Sequence, residues 1–102
     1  MSAVKRAVAE PVKLTEEQIL TIAKALADPR RLEMLRQIGR SKEPSPCSDI
    51  KECHPVSAAT LSHHMKELEA AGLVTVMREG KFASYTLRRD MLQAYSEQLA
   101  KI

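Results

Sequence analysis

The chain has 102 residues, 44% hydrophobic and 28% charged, with a formal net charge of +3. That length is one domain of common size, and the composition is that of a soluble globular protein, not a disordered or collagenous one. No apolar run approaches the ~20 residues of a spanning helix, and residues 1–12 lack the apolar block of a signal peptide, so a cytoplasmic protein with no membrane partner is expected. The basic excess suits a polyanionic partner without demanding one. With 3% aromatic residues and no Trp, the core must rest on Leu, Ile, Val, Met and Ala. Cys47 and Cys53 are then reduced by default and no structural staple.

Residues 1–12, with Pro11, read as an N-terminal arm, and residues 13–102 as the domain. Thr15 followed by Gln18 is a capping-box pattern, and Ile19, Ile22, Ala23 and Leu26 then recur at helical spacing up to Ala27. Asp28-Pro29 restarts the chain as N-cap and first helical residue of a second helix, with Leu32, Leu35 and Ile38 on one face and Gly39 expected to close it. After a polar loop at residues 40–44, Ser45-Pro46 repeats the cap-and-proline pattern and opens a short helix to about Cys53, broken by His54-Pro55. Ser57 caps a fourth helix that runs to Ala71 and stops at Gly72, with Leu61, Met65 and Leu68 as its buried stripe. Residues 73–78 and 81–87 are rich in strand formers and flank Glu79-Gly80, which predicts a β-hairpin. A last helix spans about residues 89–101, with Leu92, Tyr95, Leu99 and Ile102 on one face. The sum is a mainly α domain: five helices, with a two-stranded hairpin between the fourth and fifth.

The short third helix, the tight break and the fourth helix form a helix-turn-helix pattern. The second helix of such a pair enters the DNA major groove with its early residues toward the base edges. Behind its cap Ser57, the stripe opposite the core is Ala58, Ala59, Ser62, His63 and Lys66. That face is small and polar, so the backbone can approach the bases. Ser62 and His63 suit bases or phosphates, and Lys66 suits a phosphate. Arg78 and Lys81 near the hairpin tip reach toward phosphates or the adjacent minor groove. Each feature alone has an ordinary explanation, such as a solvated face or a charged turn; the joint order points to double-stranded DNA. Neighbouring histidines point about 100° apart on a helix and make a poor metal pair, so His63 is expected toward DNA and His64 half-buried against the domain.

Three stretches carry a family likeness. Ala25-Leu26-Ala27-Asp28-Pro29-Arg30-Arg31-Leu32-Glu33-Met34-Leu35 closely resembles the entry to the second helix in the arsenic-repressor (ArsR-type) family. Ser57-Ala58-Ala59-Thr60-Leu61-Ser62-His63-His64-Met65-Lys66-Glu67-Leu68 resembles that family's recognition helix. Ala71-Gly72-Leu73-Val74, then Arg78-Glu79-Gly80-Lys81 and Tyr85, resemble its helix exit and wing. The likeness covers roughly residues 15–100 and implies a winged helix-turn-helix fold and a homodimeric repressor released from its operator by an inducer. A dimer also follows from the terminal helices, whose stripes Ile19, Ile22, Leu26 and Leu92, Tyr95, Leu99 are apolar enough to bury each other across a two-fold axis. Such pairing through the first and last helices matches a palindromic operator. The alternative is that both stripes pack within one subunit.

The inducer is an unknown small molecule, oxidant or metal. The family's metalloid sensors often carry Cys-x-Cys before an Asp, where this chain has Pro46-Cys47-Ser48-Asp49. Others use Asp and His on the last helix, which here has Asp90 and Glu97 but no His. No metal ligand carries over, and no cofactor is expected. A metal or metalloid site from Cys47, Cys53 and His54 is an alternative, although Cys-x5-Cys-His is a weak pattern. A thiol sensor is the other reading. Cys47 stands near a helix N-terminus, where free amides favour a thiolate. Cys53, six residues on, would be about 9 Å away along an intact helix, against about 4.4–6.8 Å for a disulfide, so joining the two would unwind the helix. Against it, Cys53 is simply a small core residue and Cys47 merely exposed.

An enzyme is not expected: Cys53-His54 has no partner to orient a base, and Gly39, Gly72 and Gly80 are scattered, so no phosphate loop exists. A winged-helix protein-interaction module without DNA binding is the remaining alternative.

Overall fold

The computed structural model describes residues 12–102; apart from Val12, the arm expected over residues 1–12 lies outside them. Five helices and a small antiparallel sheet follow in the order α1 (Glu16–Leu26), α2 (Pro29–Arg40), β1 (Ser45–Pro46), α3 (Cys47–Cys53), α4 (Ala58–Ala70), β2 (Val74–Glu79), β3 (Phe82–Leu87) and α5 (Arg89–Ala100). Strand order is β1-β3-β2.

The helix starts follow the caps. Thr15 and Gln18 form the reciprocal capping box of α1, and Asp28 accepts from the Arg31 amide ahead of Pro29. At the end of α4, Gly72 takes φ +76. The Leu73 amide reaches back to the Leu68 carbonyl and the Gly72 amide to that of Glu69, and both leucines are fully buried. This closing arrangement satisfies the last carbonyls and turns the chain into the hairpin.

Three details differ from the sequence reading. Ser45-Pro46 is not the start of α3 but a two-residue edge strand paired to Tyr85 and Ser84, a place where proline's missing N–H costs nothing. Gly39 does not end α2, which continues to Arg40. It is a close-approach position: a Cβ there would sit 3.0 Å from Leu87 Cδ2, and its carbonyl accepts from Arg89 Nη2 at 2.6 Å. The hairpin turn is Gly80-Lys81, because Glu79 pairs with Phe82. Gly80 has φ +59 while no non-glycine residue among the described residues has a positive φ, which fits the type II′ turn that matches strand twist.

The core joins every helix to the sheet. Ile22 of α1, Met34 of α2, Ile50 of α3 and Met65 and Leu68 of α4 are the largest fully buried side chains, together with Leu73. Each stabilises the fold by about 1.5–3 kcal/mol through area removed from water. By contrast, α5 buries only Met91 and Ala94. Among the described residues no helix is long and apolar enough to cross a membrane.

Candidate nucleic-acid interface

The helix-turn-helix is α3, the link at residues 54–57, and α4. The link is tight: the His54 amide still bonds the Lys51 carbonyl at 3.3 Å, and the Val56 amide bonds the His54 carbonyl at 2.9 Å. His54 is buried, and its Nε2 lies 3.1 Å from Gln37 Oε1. The Gln37 amide donates in turn to the Asp49 carbonyl at 3.3 Å and to Cys53 Sγ at 3.4 Å. One glutamine of α2 therefore holds both α3 and the turn. Burial, then the nearby Arg30 charge, pushes the His54 imidazole below its ordinary value, and Glu33 opposes this.

Ser57 Oγ accepts from the Thr60 amide at 3.1 Å and donates to Thr60 Oγ1 at 3.0 Å. Leu61, Met65 and Leu68 turn that start into a buried stripe. Ser57, Ala58, Ala59, Ser62, His63 and Lys66 are all exposed. Thr60 is exposed as well, a hydroxyl in the first turn that the sequence reading passed over, although its place three residues before His63 sets the two on the same side of the helix. His64 is buried at 8% exposure, deeper than the half-burial expected. Its ring Nδ1 lies 3.2 Å from Arg31 Nη1. Desolvation holds His64 below the ordinary imidazole value. Arg31, His63 and Arg30 act in the same direction, and Asp28 acts against it.

On the hairpin, Lys81 occupies the exposed turn. Arg78 Nη2 lies 3.5 Å from Glu69 Oε1 at the end of α4, so its charge is partly engaged, in a solvated pair worth little energy. Among the described residues neither Lys66 nor Lys81 pairs with a carboxylate. The two sites thus leave unneutralised cations on α4 and on the wing.

Cys47 and Cys53 stand at opposite ends of the intact α3. Their exposures are the reverse of those sketched from sequence: Cys47 is half-buried against the core and Cys53 exposed. No group of three His, Cys, Asp or Glu side chains able to hold a metal ion occurs among the described residues, so Cys47, Cys53 and His54 are not brought together as one.

The terminal helices give a mixed answer. Ile22 is fully buried in its own subunit's core and is not available to a partner, because the α1 stripe turns inward there against α2 and α4. Ile19 and Leu26 are half-buried, as are Leu92 and Tyr95, and Leu99 is exposed. Leu26 and Leu92 line one groove of about 390 Å³ together with Leu32, Leu35 and Leu87. The end of α1 and the start of α5 thus border the same groove. Leu20 on α1 is also exposed.

A helix-turn-helix domain model matches residues 26–76. The arsenical resistance operon repressor of Staphylococcus xylosus is 36% identical over 86 residues, 84% of this chain and 81% of that protein. The chain belongs to the arsenic-repressor (ArsR) family. Solved ArsR structures share its fold. An ArsR-like transcriptional regulator from Rhodococcus sp. RHA1 superposes with a TM-score of 0.73 at 26% identity, over 83% of this chain and 78% of that one. A homodimeric winged helix-turn-helix DNA-binding domain from Mycobacterium bovis superposes at 0.67 with 25% identity, over 82% and 77%. The matched stretch takes in α2, α3, the link and α4 and reaches the start of β2.

Proposed function

We propose that residues 13–102 form a homodimeric DNA-binding repressor domain, released from a palindromic operator by an inducer. The observation that carries this is the division of α4. One stripe is sealed in the core, and the other leaves Ala58, Ala59, Ser62, His63 and Lys66 uncovered, with a further exposed cation, Lys81, at the hairpin turn. Small residues let the helix backbone approach the base edges. Ser62 and His63 read them, while Lys66, Lys81 and Arg78 hold phosphates. The Ser57 cap sets the helix start against the backbone.

The dimer forms through α1 and α5, using Ile19, Leu26, Leu92, Tyr95 and Leu99. What supports it is that α5 buries little within its own subunit and that the first and last helices share an apolar groove. A two-fold pair places the two recognition helices about one turn of DNA apart.

The releasing signal on this reading is thiol oxidation. A two-electron oxidant such as diamide takes two electrons and two protons from Cys47 and Cys53 and leaves a disulfide. The intact α3 keeps the two too far apart for that bond, so forming it unwinds the first helix of the motif.

Selection from a pool of partly randomised duplexes tests the assignment. Ser62→Ala and His63→Ala are expected to change base preference, and Lys66→Ala to weaken all sequences alike. An unchanged preference in both of the first two refutes the reading face. Release by diamide that persists in a Cys47→Ser, Cys53→Ser double variant refutes the thiol switch.

A further inference from the structure

Arg31 does more than a solvated helix arginine. It sits in α2, yet Nε donates to the Ala25 carbonyl at 2.8 Å and Nη2 to the Lys24 carbonyl at 3.3 Å. These are carbonyls of the last turn of α1, where the helix dipole is negative. The third arm of the fork, Nη1, meets His64 Nδ1 of α4 at 3.2 Å. A single guanidinium therefore ties α1, α2 and the recognition helix, and its rigid planar fork fixes their angles better than a lysine would.

The bond chemistry is one-sided. Arginine only donates, so His64 Nδ1 accepts through its lone pair and the ring proton sits on Nε2. A protonated imidazole has N–H on both nitrogens. Taking up a proton would remove the acceptor and set two cations about one hydrogen-bond length apart.

We propose that Arg31 and His64 form a proton-sensitive joint that positions α4 against α1, so that the chain grips DNA with His64 neutral and loosens when its ring is protonated. The inference rests on α4 being the DNA-reading helix. The charged and titratable groups around the ring are Asp28 from the α1–α2 turn, Arg30 and Arg31 from α2, His63 from α4 and His54 from the link. Only Asp28 favours the proton; burial, Arg31, His63 and Arg30 all oppose it. The neutral joint is thus the resting state at neutral pH. Exposed His63, on the face proposed to meet phosphate, is common to the wild type and the His64 variants and so cancels in their comparison.

The variants separate these effects. His64→Asn offers Oδ1 about where Nδ1 stands and cannot titrate. His64→Phe keeps a ring and loses the acceptor. Binding of a fluorescein-labelled duplex carrying the sequence upstream of the gene is measured by anisotropy at about pH 8 and about pH 5.5. The wild type is expected to bind on the order of tenfold more weakly at the lower pH, the scale of one lost charge-assisted hydrogen bond. His64→Asn is expected to bind as the wild type does at the higher pH and to lose nothing at the lower. His64→Phe is expected to be weak at both. Long-range proton–nitrogen NMR of the free protein is expected to find the Nε2–H tautomer of His64 at about pH 8. An Nδ1–H tautomer overturns the joint without reference to DNA, and so do parallel pH curves for wild type and His64→Asn. Failure of the wild type to bind any duplex at the higher pH overturns the DNA reading of α4, and this coupling with it.

Discussion

Gln37→Ala is the substitution that tests most sharply how the helix-turn-helix is braced. Gln37 Oε1 is the partner of His54 Nε2 at 3.1 Å, and His54 is 8% exposed. Truncation leaves that buried ring N–H without its acceptor, which costs about 1–3 kcal/mol. The other two bonds, to the Asp49 carbonyl and Cys53 Sγ, are long and solvent-exposed and add only a few tenths, on the order of a weak surface bond. A loss of about 2 kcal/mol in a domain of this size lowers Tm by roughly 8–16 °C. The assay is thermal unfolding followed by circular dichroism at one fixed protein concentration, since a dimer's Tm depends on concentration. Gln37→Glu keeps an acceptor for His54 and is expected to recover most of the loss. A Gln37→Ala variant within about 0.5 kcal/mol of the wild type, the range of an ordinary surface change, refutes the bracing role. Equal damage from Gln37→Glu refutes it as well.

Lys81→Ala is expected to weaken binding to specific and mixed-sequence duplexes by the same factor and to reduce the slope of log affinity against log salt by about 0.9; titrations at several salt concentrations check this, and a sequence-selective loss contradicts it. His54 and His64 are both held below 6.5 by burial, so below that value the unfolded chain binds more protons than the folded one. Stability is therefore complete above 6.5 and falls as pH drops from there toward the lowered folded values. Urea midpoints across that range measure it, and a flat profile contradicts it. Leu99→Glu puts a charge on the exposed end of the α5 stripe and is expected to convert a dimer to a monomer in sedimentation at micromolar concentration; an unchanged dimer moves the interface elsewhere.

The helices were legible because their starts are written locally. Thr15, Asp28 and Ser57 each cap within three residues, and the buried stripe Leu61, Met65, Leu68 repeats at helical spacing. The same stripe placed Ser62, His63 and Lys66 outside. What escaped depends on partners far along the chain. Ser45-Pro46 carries a helix-start signal, but β3, forty residues on, captures it as a strand. Gly39 looks like a stop until Leu87 is seen crossing it. The Ile22 stripe tells which side of α1 is buried, not whether its own subunit or another covers it. Arg31 and Gln37 look like solvated helix residues, since His64 and His54 lie 33 and 17 positions away.

The central claim is that this chain holds duplex DNA through α4 and the wing. The most direct test is anisotropy of a labelled duplex from upstream of the gene, titrated with reduced protein over a series of salt concentrations. Saturable binding is expected, with log affinity falling linearly against log salt at a slope of about −0.9 per phosphate contact and competition far stronger from the same unlabelled duplex than from a scrambled one. No binding at low salt, or binding indifferent to both salt and sequence, contradicts the account.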